Sequence, residues 1–235
     1  HSSYADQYFS SYKEAADLLG IDMEVLWTQD EYIAGKYADL IVESLQKRDQ
    51  IALILERVGG RAVDGDWQPI QILDETNSSL RTATFESFDA DNQTVSYVAS
   101  DGSRRVADMK KGQVKLDWRC DWPARWTIFG VTVEGFGREH ATKGGSYDTG
   151  KAIVEEVYGG KAPIPVPYDT INLKGDTKKM SSSLGNLVTI QDSLKIIPPE
   201  ILRFFVFKSL PQKQLFFDPG MGMYTLIDEV AKIEE

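Results

Sequence analysis

Apolar residues return at helical spacing along the first stretch of the chain, at Tyr4, Tyr8, Phe9, Tyr12, Ala15, Ala16 and Leu19. One face of a 3.6-residue period is therefore apolar, and the pattern predicts an amphipathic helix that Gly20 ends. After Gly35, the positions Tyr37, Leu40, Ile41, Ile51, Ile54 and Leu55 predict a second, longer helix, stopped by the Val-Gly-Gly at 58–60. From about Gln68 to Leu116 the texture changes. "IQIL", "TATFESF" and "TVSYVA" are β-prone runs, separated by the turn-forming "DETNSS", "DADN" and "SDGS". Short runs punctuated in this way predict a small β-rich insertion.

Beyond Lys115 the pattern changes again. "VKLDW" and "VTVEGFG" read as strands, "SYDTGKAIVEEVYG" as a helix and "PVPYDTINL" as a further strand. Strands alternating with helices predict parallel α/β architecture, which binds its ligands outside the carboxyl ends of the strands. The segment 174–186 follows the last of these strands and so falls where a ligand belongs. "TIQDSLK", "PPEILRFFVFKS" and "GMYTLIDEVAKIEE" then read as helices, the middle one opening on prolines suited to a first turn.

Composition narrows the class. The chain has 235 residues, 42% of them hydrophobic and 11% aromatic, which is enough for one large domain or two small ones. No apolar run approaches the roughly 20 residues that cross a bilayer, so no membrane partner is expected and a cytoplasmic setting is the default. Cys120 is the single cysteine, which rules out a disulfide framework and a cysteine cluster for zinc. The net charge of −10 argues against broad adhesion to nucleic acid, although a local basic surface can still meet RNA. Residue 1 is His rather than Met, which leads us to expect a processed or excised piece.

The chemistry concentrates in "KGDTKKMSSSLGN". Lys178 and Lys179 can meet phosphate charge, the three serine hydroxyls can donate to phosphate oxygens, and Gly175 and Gly185 let the backbone turn. The spacing is not that of a Walker loop. On composition alone the segment reads as a solvated turn.

Context changes that reading. The segment resembles the KMSKS signature of class I aminoacyl-tRNA synthetases, which follows the last strand of their nucleotide-binding fold. "KLDWRCDWPARWTIFGVTVEGFGREHATKGGSYDTG", "PYDTINLKG", "KKMSSSLGN" and "PPEILRFFVF" look like consecutive landmarks of class I lysyl-tRNA synthetase, the form typical of archaea and some bacteria. The likeness extends upstream through "HSSYADQYF" and "KRDQIALIL" and so spans nearly the whole chain.

The resemblance implies an α/β fold: the second half of a Rossmann-like parallel sheet, with a helical plus β-rich connecting insertion and a C-terminal helical junction. Residues 1–60 would be the helical part of the insertion and 61–114 its β-rich part, a degenerate zinc ribbon. Residues 115–175 would complete the catalytic domain, and 176–235 would carry the signature loop and the start of the junction. The implied activity is ligation of L-lysine to tRNA(Lys) through lysyl-adenylate, with ATP and its accompanying Mg2+. Lys179, with Met180, Ser181, Ser182 and Ser183, would hold the ATP phosphates; Gly137 and Glu139 would meet the ribose side, Glu139 standing where the family usually has Asp. Trp118, His140 and Tyr168 would line the lysine pocket, with Asp121 a further partner for the substrate ammonium. Read without the resemblance, Trp118 and Tyr168 are ordinary core aromatics and His140 a structural histidine.

Several departures from the family pattern carry expectations of their own. Leu184 stands where the subfamily often has a lysine, which removes one phosphate-facing cation. The turns "ILDETNSS" and "VASDGS" hold no thiol or imidazole, so zinc is expected to be absent. His1 matches one ligand of a second metal site, but Gln7 replaces a histidine, and no metal is expected there. Only His1 and His140 occur, so the family's His-x-Gly-His motif is missing; the chain alone is therefore expected to show little or no aminoacylation. Two other readings stay open: a different class I synthetase, such as the glutamyl type, and a non-catalytic paralogue that binds RNA or protein.

Overall fold

The computed structural model describes residues 4–175, 180, 185 and 187–234. The chain forms two compact units, one of Val25–Val166 and the other of His1–Glu24 together with Pro167–Glu235. The architecture is mixed α/β.

In the Val25–Val166 unit, helix α2 (Thr28–Ile33) is followed by α3 (Ala38–Gln46) and α4 (Arg48–Gly59). The single long helix expected after Gly35 is thus two. The polar run 46–50 offers no apolar position to continue the stripe, and the chain turns at Lys47, whose ammonium donates to the Val157 carbonyl at 2.7 Å. The turn lets Ile41 and Leu45 of one helix, and Ile51 and Ile54 of the other, all enter the same buried core. Helix α4 closes on Gly60 in the left-handed conformation (φ +68°), a geometry that costs glycine nothing.

The expected β-rich insertion is present. Strand β1 (Ile70–Ile72) pairs antiparallel with β5 (Val114–Leu116), while β2 (Thr84–Asp89), β3 (Thr94–Val98) and β4 (Arg104–Asp108) form an antiparallel meander. Val95, Tyr97 and Ala107 alternate inward and join the core. The turns matched to zinc-carrying ones in the family are joined by the fully buried Asp74. Its carboxylate accepts from Thr76 N (3.0 Å), Thr76 Oγ1 (2.5 Å), Thr82 Oγ1 (2.8 Å) and Ser100 N (2.8 Å). These donors hold its pKa far below the usual carboxylate range, the Thr76 hydroxyl contributing most.

The expected strand "VKLDW" stops at Leu116. Asp117 takes the next position as a helix cap, accepting from Arg119 N at 3.2 Å, and helix α5 (Trp118–Ile128) follows with Pro123 inside it. Strand β6 (Val133–Gly137) pairs with β7 (Ile164–Tyr168). Helix α6 (Ser146–Glu156) packs on α5 and α4, and Gly144 before it has φ +73° with the Val58 carbonyl 2.6 Å from where a Cβ would sit. Any side chain there would part α6 from the end of α4.

In the other unit, helix α1 (Tyr4–Leu18) occupies the first predicted helix, and strand β8 (Ile171–Leu173) pairs parallel with β9 (Leu215–Phe217). "PVPYDTINL" is therefore two strands rather than one, broken where Asp169 Oδ1 accepts from Thr170 N at 2.7 Å. Helices α7 (Ile190–Leu194), α8 (Pro199–Phe207) and α9 (Met221–Glu234) complete the unit. Thr189 and Asp192 form a reciprocal capping box at the start of α7, and Pro199 occupies the first turn of α8. Ile197, Ile201, Leu202, Phe205, Phe217 and Leu226 form its core.

Candidate functional site

The sequence "WRCDWPARW" places tryptophans at 118, 122 and 126, four residues apart, so helix α5 stacks them along one side. Trp126 is buried, Trp122 partly so, and Trp118 at the helix start is 47% exposed. The ring centroids of Trp118 and Trp122 lie 5.8 Å apart in a stacked arrangement. Strand β6 ends in a 3-10 turn, Arg138–Ala141, that brings His140 against both indoles, edge-on at 5.7 Å from Trp118 and 5.8 Å from Trp122. Trp118, Trp122 and His140 thus form an aromatic bracket open to solvent on the Trp118 side. His140 Nδ1 lies 3.4 Å from the Ser146 hydroxyl at the start of α6.

Glu134 fixes the tryptophans. One of its oxygens accepts from the Trp122 indole N–H at 3.1 Å and the other from Trp126 at 3.0 Å. A single carboxylate therefore sets the tilt of two rings, and through Trp122 the back of the bracket. Neither Trp122 nor Glu134 was singled out from the sequence, although the four-residue tryptophan spacing is a signal that finds Trp122.

Asp121 lies on the buried side of α5. It accepts from the Tyr32 hydroxyl at 2.6 Å and pairs with Arg125, so both carboxylate oxygens are engaged. Tyr32 stacks on Tyr37 with centroids 3.8 Å apart. Burial, then the Asp121 charge, push the Tyr32 hydroxyl well above the usual phenol range, and the same two causes push Tyr37 up to about 12. Both phenols therefore stay neutral at physiological pH.

Glu139, in the 3-10 turn, is exposed, and its carboxylate lies back over the Gly137 backbone. A Cβ at 137 would come within 2.5 Å to 2.7 Å of the carboxylate atoms, so the two positions form one local feature. In the other unit, Tyr168 at the end of β7 is 51% exposed. Met180 is partly buried and helps line an apolar cavity of about 240 Å³ with Ile171, Val188, Leu202, Phe205 and Phe217. Lys179, Ser181, Ser182 and Ser183, like Lys178 and Leu184, lie outside the described residues. Among the described residues no three His, Cys, Asp or Glu side chains come together as a metal site, and no helix is long and apolar enough to cross a membrane.

Comparison with known proteins covers the whole chain. Residues 1–235 match the family model of tRNA synthetases class I (K). The chain is 44% identical over 234 residues to lysine–tRNA ligase 1 of Methanosarcina acetivorans, covering 100% of this chain and 44% of that protein. It is 44% identical over 232 residues to lysine–tRNA ligase of Methanosarcina barkeri (99% of this chain, 43% of that protein). The corresponding ligase of Thermococcus kodakarensis is 38% identical over 238 residues (100% and 45%). The chain thus spans less than half the length of these relatives.

Proposed function

The chain belongs to the class I tRNA synthetases of the lysine type, and from this we propose that its protein ligates L-lysine to tRNA(Lys) through lysyl-adenylate, using ATP with Mg2+ as the activating substrate. The observation that carries the lysine assignment is the bracket of Trp118, Trp122 and His140. Aromatic faces take the aliphatic stem of a lysine and attract its ammonium. Tyr168 is assigned to the same ligand by its match to the family pattern. Asp121, expected as a further partner for the substrate ammonium, is left out of this assignment, since it is buried and Tyr32 and Arg125 occupy its oxygens.

On this reading Glu139, over the Gly137 backbone, takes a ribose hydroxyl of ATP, and Lys179 with Ser181, Ser182 and Ser183 holds the phosphates. The lysine carboxylate attacks the α-phosphate, and pyrophosphate leaves. No covalent enzyme intermediate forms, so the residues act by holding the reactants in line and stabilising charge on the leaving phosphates. The Mg2+ arrives with the triphosphate. A cytoplasmic setting accompanies this role.

The test is pyrophosphate exchange into ATP by the protein of the full reading frame. Lysine is expected to support exchange and glutamate to fail. Trp118→Ala is expected to raise KM for lysine about tenfold, the effect of roughly 1–2 kcal/mol of ring contact, with KM for ATP unchanged. Lys179→Ala is expected to lower kcat with little effect on lysine binding. Exchange supported by glutamate, or equal losses for both substrates in Trp118→Ala, would refute the assignment.

A further inference from the structure

A second cleft in the Val25–Val166 unit, about 550 Å³, opens between the end of α4 and the start of α5 and is lined by Gly60, Arg61, Trp67, Asp117, Arg119 and Thr149. Its lining is rich in hydrogen-bond donors. Arg61 is exposed, and its guanidinium has no hydrogen-bond or ion-pair partner among the described residues; the Trp67 indole N–H likewise makes no hydrogen bond among them. Arg119 gives one N–H to the Thr149 hydroxyl at 3.1 Å, which leaves further donors on the same guanidinium. The one lining carboxylate, Asp117, caps the α5 N-terminus by accepting from Arg119 N. The segment bearing Arg61 and Trp67 is braced from α4: Arg48 Nε donates to the Trp67 carbonyl at 2.7 Å and Arg48 Nη2 to the Gly65 carbonyl at 2.5 Å.

In a chain of net charge −10, two guanidiniums and an indole N–H around one engaged carboxylate make a local reversal of sign. Such a concavity concentrates anions. Its volume exceeds that of one phosphate group, and Trp67 adds an aromatic surface to the charged ones. Paired arginine and aromatic groups suit single-stranded RNA, whose phosphates take the charge and whose bases stack. Position narrows the assignment. The Arg119 guanidinium lies over the Trp118 ring at 5.7 Å, so the cleft is one side chain away from the amino-acid bracket. An RNA that receives the amino acid must bring its single-stranded end to that bracket.

We propose that the cleft of Arg61, Trp67 and Arg119 binds a phosphodiester of the single-stranded 3′ end of the acceptor RNA. This rests on the functional reading above. The test measures, by fluorescence anisotropy across a salt series, the binding of a labelled RNA hairpin with a four-nucleotide single-stranded 3′ end to the protein of the full reading frame. Arg61→Gln is expected to weaken binding roughly three- to tenfold and to flatten the log–log salt slope by about 0.7, the share of one single-strand phosphate contact. Arg119→Lys, which keeps the charge but loses the planar fork, is expected to weaken binding less and to leave the slope in place.

Lysine-dependent pyrophosphate exchange, which needs no RNA, is measured on the same preparations. Unchanged affinity and slope in Arg61→Gln would overturn the cleft assignment, as would failure of the wild type to hold the hairpin. Displacement of the hairpin by millimolar ATP from the wild type, with the Arg61→Gln complex unaffected, would give the cleft to a nucleotide instead. Absence of exchange alongside an Arg61-dependent salt slope would sink the lysine reading and keep the RNA site. Normal exchange with an unchanged slope would do the reverse.

Discussion

The Tyr32 hydroxyl donates to Asp121 Oδ1 at 2.6 Å and accepts from the Leu116 backbone N–H at 3.1 Å. One phenol therefore ties helix α2 to the end of β5 and to the helix that carries the tryptophan bracket. Tyr32→Phe removes both bonds at once and leaves a buried amide and a buried carboxylate each short of a partner. The expected loss of stability is about 2 kcal/mol, mostly the cost of the unsatisfied groups. Urea unfolding followed by far-UV circular dichroism reads it. An unchanged midpoint would mean that the link carries no weight.

Glu134→Gln should separate the shape of the bracket from its composition. The amide offers one acceptor where the carboxylate offered two, and its N–H2 faces an indole N–H with which it cannot bond. One tryptophan ring then tilts. On the function proposed above, the expected outcome in the protein of the full reading frame is a red shift of tryptophan emission and a threefold to tenfold rise in KM for lysine, about 1 kcal/mol, with KM for ATP unchanged. A rise in both constants would point instead to general unfolding, which a Glu134→Ala thermal melt would detect independently.

Much of this was legible in the sequence because it followed period and punctuation. Helix α1, the β-rich insertion and the helices after 189 all announce themselves by apolar spacing and by turn residues. What escaped is what tertiary contacts decide. The one expected helix is two, turning in the polar run at Lys47, whose ammonium donates to the Val157 carbonyl. The expected strand "VKLDW" stops at Leu116 because Asp117 caps a helix whose tryptophans, four residues apart, pack along one side of it. Trp118 and His140 were nameable through the family pattern, and they lie together. Glu134 carries no such signal, since its role exists only where β6 passes the indoles of α5.

Cys120 is fully buried in α5, and burial, reinforced by the charges of Asp117 and Asp121, pushes its thiol well above the usual range. The thiolate that reacts with disulfide reagents is therefore scarce in the native protein. Dithionitrobenzoate is expected to label Cys120 only as fast as the unit opens, and fully in urea. Labelling of the native protein at the rate of a free exposed thiol would show that α5 is not packed as described. Cys120→Ser buries a more polar hydroxyl in the same place and should cost about 1–3 kcal/mol.

Asp74 gives the β-rich insertion a dependence on acid. Its folded pKa lies below that of the unfolded chain because the Thr76, Thr82 and Ser100 donors favour the charged form. A group depressed in the folded state stabilises it at pH values above its unfolded pKa, near 3.9, and loses that contribution as pH falls below it. Wild-type stability should therefore be flat from this source above about pH 5 and fall on further acidification. Asp74→Asn replaces one acceptor oxygen with donors that face other donors, so the variant should be less stable at pH 7. The gap between the two proteins should narrow as the pH is taken from 5 towards 2, because the wild type alone has a charge to lose there. Urea midpoints at successive pH values measure that gap. A gap that stayed constant down to pH 2 would show that packing at position 74, and not the carboxylate charge, joins the two turns.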